Sequence, residues 1–321
     1  MNQSRRDFIK GATSVGAFVS VARCLAGFNV YTPRISNEQV LKVQQIEIPV
    51  GLGKPFKAFH ISDTHLNFFD AADFASASSE KREFLHYRWC RFPQALQSFY
   101  ASLDYAAVGG LPLLHTGDLV DYASDGNDRV LKRSVPGINM HFAIGNHEYQ
   151  NCEDDHYAKD KSAARSRLQP FFRNDLAVAS RVMGGVNFVA FDNALHNLSP
   201  EVVNGVKREF EKGIPVVLMC HVPPTYTMKF RENARESKRR IAVGMGADPS
   251  SLPLEPLPDN PADSHDEITR SFYEWLKGRK ALKAILCGHT HYAEIDDFSE
   301  SAKMYVTGGN YEGHAYEITF T

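Results

Sequence analysis

The chain has 321 residues, a formal net charge of -2 and 43% hydrophobic residues. These values suit a soluble globular protein with one large domain. The near-balanced charge gives no footing for a nucleic-acid surface, and no repeat or long low-complexity segment is present.

At the N-terminus, Ser4-Arg5-Arg6-Asp7-Phe8-Ile9-Lys10 carries the twin-arginine export pattern, followed by a mildly apolar run at 11–22. That run is short and rich in Gly, Ala, Ser and Thr, so a stable membrane span is not expected. Arg23 stands before Cys24 where a lipoprotein signal wants a small residue, which disfavours lipidation. Cleavage after Ala26 would give a signal segment at 1–26 and a mature domain at 27–321. The expected partner is the twin-arginine export machinery, and the expected location is periplasmic or secreted. The alternative is an ordinary basic N-terminus.

Residues 56–62 predict a buried strand that runs into Asp63-Thr64-His65. Asn67, just beyond, is a candidate to line a crevice. Residues 78–107 read as helical, with Pro93 breaking the stretch in two. Phe84, Tyr87, Trp89, Phe92, Leu96, Phe99 and Tyr100 offer faces there, with core packing favoured over substrate stacking. Residues 111–114 predict a second strand, continuing through His115 and Thr116 into Gly117-Asp118-Leu119-Val120-Asp121. Residues 140–144 predict a third, ending in Gly145-Asn146-His147-Glu148, and the polar stretch 150–161 reads as a rim loop. Residues 216–220 lead into His221. A proline-rich lid or insert is expected at about 222–262, with a basic run at 231–240 that either meets an anionic group or forms a solvated helix face. Residues 264–280 predict an amphipathic helix, and 284–287 a strand ending in Gly288-His289-Thr290-His291. Strands near 304–306 and 316–320 flank Gly308-Gly309-Asn310, a turn that either lines the crevice or, the favoured reading, forms a plain hairpin.

Open α/β sheets keep their chemistry in loops beyond the carboxyl ends of strands, so these blocks aim at one crevice. A lone Asp after a strand is usually a turn residue. It is the joint occurrence at five strand ends that marks a ligand set. Carboxylate, amide and imidazole without thiolate suit manganese, iron(II) or zinc. The donors exceed what one tetrahedral zinc needs, which implies two ions sharing a ligand. Asp118 is the candidate bridge, one oxygen to each ion. Gly117, Gly145 and Gly288 fall where the backbone turns sharply or meets a ligand closely. His60, His115 and His141 lie in strand-like runs and read as core or edge histidines. His86, His156, His196, His265 and His314 lack ligand spacing and read as surface or packing residues. Cys220 and Cys287 end predicted central strands and should be buried, and no essential disulfide is expected.

The order Asp-x-His, Gly-Asp-x-x-Asp, Gly-Asn-His-Glu, a lone His and Gly-His-x-His resembles that of the calcineurin-like metallophosphoesterases. The likeness runs from Phe56 to the last strand. It implies an α/β fold of two packed mixed β-sheets flanked by helices, a four-layer αββα sandwich. It also implies two divalent metal ions: Asp63, His65, Asp118 and His291 would hold one, and Asp118, Asn146, His221 and His289 the other. His147 would be the catalytic histidine beside them rather than a ligand. The purple acid phosphatase branch places a tyrosine three residues after the bridge. Here that residue is Asp121 and Tyr122 comes one later, which argues against that branch.

The implied activity is hydrolysis of a phosphate ester by hydroxide generated between two ions. His147 would protonate the departing alkoxide or hydrogen-bond the phosphoryl group. Glu148 and Asp121 would fix an imidazole tautomer, Asp121 being equally a helix cap. Two alternatives stand beside this: a phosphodiesterase on lipid or nucleotide substrates, and a non-catalytic metal-binding interaction module.

Overall fold

The structure, a computed structural model, describes residues 40–69, 71–150, 161–225 and 265–321. The signal segment and nearly all of the rim loop and of the insert lie outside the described residues. No helix among the described residues is long and apolar enough to cross a membrane.

Eleven strands among these residues form two sheets. Strands β1 (Lys42–Ile48), β2 (Phe56–Ile61), β3 (Leu113–His115), β4 (Met140–Phe142) and β11 (His314–Phe320) make a five-stranded sheet in the order β1-β11-β2-β3-β4. Strands β2, β3 and β4 are parallel neighbours, and β11 runs antiparallel to β2. The second sheet takes β5 (Val178–Met183), β6 (Val186–Phe191), β7 (Val216–Met219), β8 (Leu282–Cys287), β9 (Glu294–Ser299) and β10 (Ala302–Val306) in the order β5-β6-β7-β8-β10-β9. Its middle, β6-β7-β8-β10, is parallel, and both edges are antiparallel.

Seven helices are described: α1 (Ala71–Ser76), α2 (Ser79–Arg91), α3 (Ala95–Gly109), α4 (Asp125–Ser134), α5 (Lys161–Leu168), α6 (Pro200–Phe210) and α7 (Glu267–Lys277). Pro93 separates α2 from α3, since proline supplies no amide donor to continue a helix. Ser78 caps α2 by accepting from the Lys81 amide at 3.2 Å, and α3 stops at Gly110 in the left-handed conformation.

Strand side chains alternate between faces, and that alternation builds the layers. Val217 and Met219 of β7 and Ala284 and Leu286 of β8 meet Ala58, Leu114 and Ile318 between the sheets. Their neighbours Val216, Leu218, Ile285 and Cys287 face outward onto Val202 and Val206 of α6 and Phe272 and Leu276 of α7. On the far side, Phe59 and Ile61 pack with Phe99 of α3, Leu131 of α4 and Leu168 of α5. Helix, sheet, sheet and helix are thus cemented by three apolar layers, as the αββα expectation requires. Each large side chain buried in them contributes about 1.5–3 kcal/mol.

The turn at 308–310 is not a hairpin. Strand β10 belongs to one sheet and β11 to the other. The chain crosses between them at the ligand end, where the Asn310 amide donates to Ser62 O at 2.8 Å and the Tyr311 amide to Asp63 O at 3.1 Å. Alternation alone marks two strands; it does not say that they pair with each other.

Candidate dimetal centre

Each ligand block leaves the carboxyl end of its predicted strand: β2, β3, β4, β7 and β8. Backbone hydrogen bonds tie the blocks to one another. The Asp63 amide donates to Gly117 O at 2.9 Å and the Gly288 amide to His221 O at 3.0 Å. His221 Nδ1 reaches across to Thr116 O at 2.7 Å, joining the two sheets. The Asp63 carboxylate accepts the His289 amide at 2.9 and 3.0 Å.

Asp63, His65, Asp118, His289 and His291 all have left-handed backbones, with φ between 51 and 73°. Such conformations cost a non-glycine residue roughly 1–3 kcal/mol each and persist where the surroundings hold them. Gly117 has φ of 95°, and a Cβ there would sit 2.7 Å from the Gly145 Cα. A Cβ on Gly288 would strike the Ser62 hydroxyl and the Asp63 carboxylate.

The donors of the ligand blocks gather in two adjoining clusters, and a third grouping sets Asp121 and His147 beside His65. In the first, Asp63, His65, Asp118 and His291 place ligand atoms within 4.8 Å of one another. His65 Nε2 and His291 Nε2 are 3.0 Å apart, and His291 Nε2 is 3.4 Å from Asp63 Oδ1. In the second, His221 Nε2 lies 3.1 Å from Asp118 Oδ2 and 3.0 Å from Asn146 Oδ1. His289 Nδ1 is 3.0 Å from the same Asn146 oxygen. Asp118 Oδ2 faces both clusters, at 3.8 Å from His65 Nε2 and 3.1 Å from His221 Nε2. The other oxygen, Oδ1, accepts the His147 amide at 2.8 Å. Asp118 Oδ2 is thus the oxygen that faces both clusters, while Oδ1 is engaged by a backbone amide.

These residues fit divalent cations. His65 Nδ1 faces the Asp121 carboxylate at 2.9 Å and His221 Nδ1 faces a carbonyl, so both carry their proton there and turn the Nε2 lone pair inward. Lone pairs of nitrogen, carboxylate and amide oxygen then confront one another in a buried space, which a cation or extra protons must satisfy. Protonation is the second solution. Burial pulls His221 down, but the Asp118 and Asp63 carboxylates and the Thr116 carbonyl together raise it to about 10. Burial holds His65 and His289 at about 3. Asp118 lies well below the carboxylate range: burial raises it, and the His221, His147 and His65 side chains outweigh that.

His147 stands beside the clusters. Its Nδ1 donates to Asp121 O at 2.8 Å, and its Nε2 lies 4.0 Å from Asp118 Oδ2. Burial and Arg88 lower its basicity, while Asp118 and Asp121 oppose them. Asp121 does orient an imidazole, that of His65. Glu148 does not. Its carboxylate instead accepts four backbone amides, those of Asp118, Leu119, Val120 and Gly145, at 2.7–3.1 Å. A buried carboxylate follows the nearest donors, and two ligand loops present theirs together.

Asn67 likewise departs from expectation. It is buried and donates to Arg88 O at 3.0 Å, supporting helix α2 and not lining a crevice. Tyr122 turns away and donates to Asn67 O at 2.9 Å. His60, His115 and His141 are core histidines as read: two meet threonine hydroxyls at 2.9 and 3.0 Å and the third meets Phe188 O at 3.1 Å. His196 packs edge-on to His289 with ring centroids 6.4 Å apart. Cys220, just past β7, and Cys287, the last residue of β8, are buried with their sulfurs 3.7 Å apart.

Three residues near the site were not singled out. Arg88 forms an ion pair with Asp121. Phe92, grouped with the packing aromatics, lies flat on His65 at 4.3 Å with 3° between the planes. The Tyr311 hydroxyl is 3.4 Å from His291 Nδ1. Arg88 sits in α2 and Phe92 caps its end, in a stretch read for helicity and packing alone, and Tyr311 follows the turn favoured as a hairpin.

A buried double cluster at the strand ends of an αββα sandwich is the site of a metal-dependent phosphoester hydrolase. The sequence profile of the calcineurin-like phosphoesterases matches residues 56–293, and the chain belongs to that family. Among solved structures it is similar to a dimetal phosphatase from Danio rerio, at 12% identity and a TM-score of 0.42, covering 80% of this chain and 88% of that one. It is similar also to a putative 5'-nucleotidase from Staphylococcus aureus, at 12% identity and a TM-score of 0.39, covering 80% of this chain and 49% of that one. A phosphopantetheinyl hydrolase from Mycobacterium tuberculosis matches at 12% identity and a TM-score of 0.35, covering 83% of this chain and 91% of that one. No curated protein sequence matches the chain.

Proposed function

We propose that the protein is an exported phosphoesterase working with two divalent ions, manganese, iron or zinc. Asp63, His65, Asp118 and His291 hold one ion, and Asp118, Asn146, His221 and His289 hold the other. The observation that carries this reading is Asp118 Oδ2, one oxygen facing two complete donor clusters.

Ions bound there supply a water of lowered pKa and positive charge for the phosphoryl oxygens. The chain supplies the rest. Asp121 O holds the His147 proton on Nδ1 and leaves Nε2 turned to the site. A phosphoryl group brings negative charge to that edge and favours the imidazolium, which then passes its Nε2 proton to the departing alkoxide. The twin-arginine pattern at 4–10 supports export in the folded state, which allows metal loading before transport.

The test is turnover of 4-nitrophenyl phosphate and bis-4-nitrophenyl phosphate by the chain lacking residues 1–26, after reconstitution with each metal. The faster ester defines the class. Full metal occupancy without turnover of either would move the reading to the non-catalytic binding module. For export, replacing Arg5 and Arg6 with Lys should retain the protein in the cytoplasm; unchanged fractionation would contradict it.

A further inference from the structure

Asp121 is fully buried, and its carboxylate lies behind the His65 and His147 rings, on their Nδ1 sides. It nevertheless controls two imidazoles. Oδ1 accepts from His65 Nδ1 at 2.9 Å, and the main-chain oxygen accepts from His147 Nδ1 at 2.8 Å. What holds Asp121 is the guanidinium of Arg88, which forks onto both oxygens: Nε to Oδ2 at 2.6 Å and Nη2 to Oδ1.

Arg88 is itself 5% exposed, so the pair is shielded from water. A buried carboxylate without a countercharge is costly, and removing one partner of such a pair leaves that cost standing. His65 offers Asp121 a hydrogen bond but, as a neutral ligand, no charge. The planar fork also fixes direction. A guanidinium meets both carboxylate oxygens at once, which a lysine ammonium does not. Rotation of the Asp121 carboxylate is thereby blocked, and with it rotation of His65.

Arg88 is seated for this task. Its carbonyl takes the Asn67 amide group at 3.0 Å and the Phe92 backbone amide at 3.2 Å. Its guanidinium carbon lies 5.1 Å from the centroid of the Phe92 ring, the ring that stacks on His65. The end of α2 thus braces His65 twice, by its face through Phe92 and by its Nδ1 edge through Arg88 and Asp121. Arg88 Nη2 and Asp121 Oδ1 each stand 3.5 Å from His147 Nδ1, so a freed Asp121 would disturb both imidazoles.

We propose that Arg88 is a positioning residue for phosphoester hydrolysis, acting through Asp121 to hold His65 as a metal ligand and His147 as the proton donor. The inference rests on the dimetal reading above and adds to it a residue outside all five ligand blocks.

The experiment compares wild type with R88M, R88K, D121N and the double variant R88M/D121N. Each is measured for metals per chain, for manganese affinity by competition with a chromogenic chelator, and for kcat and KM on both nitrophenyl esters. Changes to groups that orient metal ligands typically cost about 10–100-fold in affinity or activity. R88M should fall in that range, through kcat and manganese affinity with KM little changed, and R88K should recover only part of it. The double variant should be no worse than D121N alone, because Arg88 acts chiefly through that carboxylate. It also buries a neutral pair, so it keeps the comparison with D121N open if R88M does not fold. Three results would overturn the proposal: R88M with wild-type kcat and affinity, R88K equal to wild type, or losses that multiply in the double variant. If wild type itself binds no metal and hydrolyses neither ester, the dimetal reading has failed, and the Arg88 proposal falls with it. An active wild type with an indistinguishable R88M sinks the Arg88 proposal alone.

Discussion

Replacing Glu148 with Gln tests whether one carboxylate clamps two ligand loops from behind. Oε1 accepts the amides of Leu119 at 2.7 Å and Val120 at 3.1 Å, and Oε2 those of Asp118 at 2.9 Å and Gly145 at 2.7 Å. Glutamine keeps one oxygen and turns an NH2 group toward the other pair. Two backbone donors then lose their acceptor and face a donor. Hydrogen bonds to a charged group contribute about 1.5–3 kcal/mol each, so the loss lies at about 3–6 kcal/mol. One effect offsets part of it. Burial and the Asp118 charge raise the Glu148 carboxyl, with the Val120 and Gly145 amides opposing, so removing its charge relieves some strain. The expectation is therefore the lower end, about 3 kcal/mol. Urea unfolding of the metal-free chain, extrapolated to water, reads the difference as a shifted midpoint with an unchanged slope. A loss below about 1 kcal/mol would refute the clamp, since even one orphaned amide should exceed it.

Three further outcomes follow from the same geometry. His147→Ala should slow hydrolysis of an alkyl phosphate by about 10²–10⁴-fold, slow a nitrophenyl ester much less, and leave metal content intact; equal losses on both would rule out proton donation. Metal loading at pH 7.5 should release about one proton per chain, because metal-free His221 is raised to about 10 and must give up its proton to bind. The sign is that of a raised histidine: its contribution to metal-free stability is complete below its unfolded value and fades as pH rises through about 10. Calorimetry in buffers of different ionisation enthalpy counts that proton, and none released would contradict the His221–Asp118 pairing. Gly288→Ala should destabilise the chain by about 1–3 kcal/mol, since its Cβ would strike Ser62 and Asp63; thermal unfolding indistinguishable from wild type would show that the loops yield freely.

The strands behind the ligands were legible because buried parallel strands read as short apolar runs, and each run ended in residue types that bind metals. Residues 216–220 and 284–287 became β7 and β8 with few boundary errors. The helix predicted at 264–280 formed as α7, capped by Asp266. Less visible was anything set by contacts remote in sequence. Arg88 and Asp121 lie 33 positions apart, and nothing in a polar helix marks which arginine turns inward. Glu148 sits in a ligand block, so its residue type suggested a partner for histidine; the nearest donors proved to be backbone amides, which leave no mark in a sequence. The edge strand β5 is only half-buried and carries no apolar run, and it went unread. The crossing at 308–310 was mistaken because two strands joined by a Gly-rich turn look the same whether they pair or part.

The central claim is that two clusters sharing Asp118 hold two ions. Its most direct test is metal content of the purified chain lacking residues 1–26, by mass spectrometry after manganese, iron or zinc loading, beside the same measurement on Asp118→Asn. The account predicts about two ions per folded wild-type chain. It predicts that the variant, which loses its shared charge, weakens both together. One ion per wild-type chain, or a variant that loses one ion and keeps the other at full affinity, would contradict it.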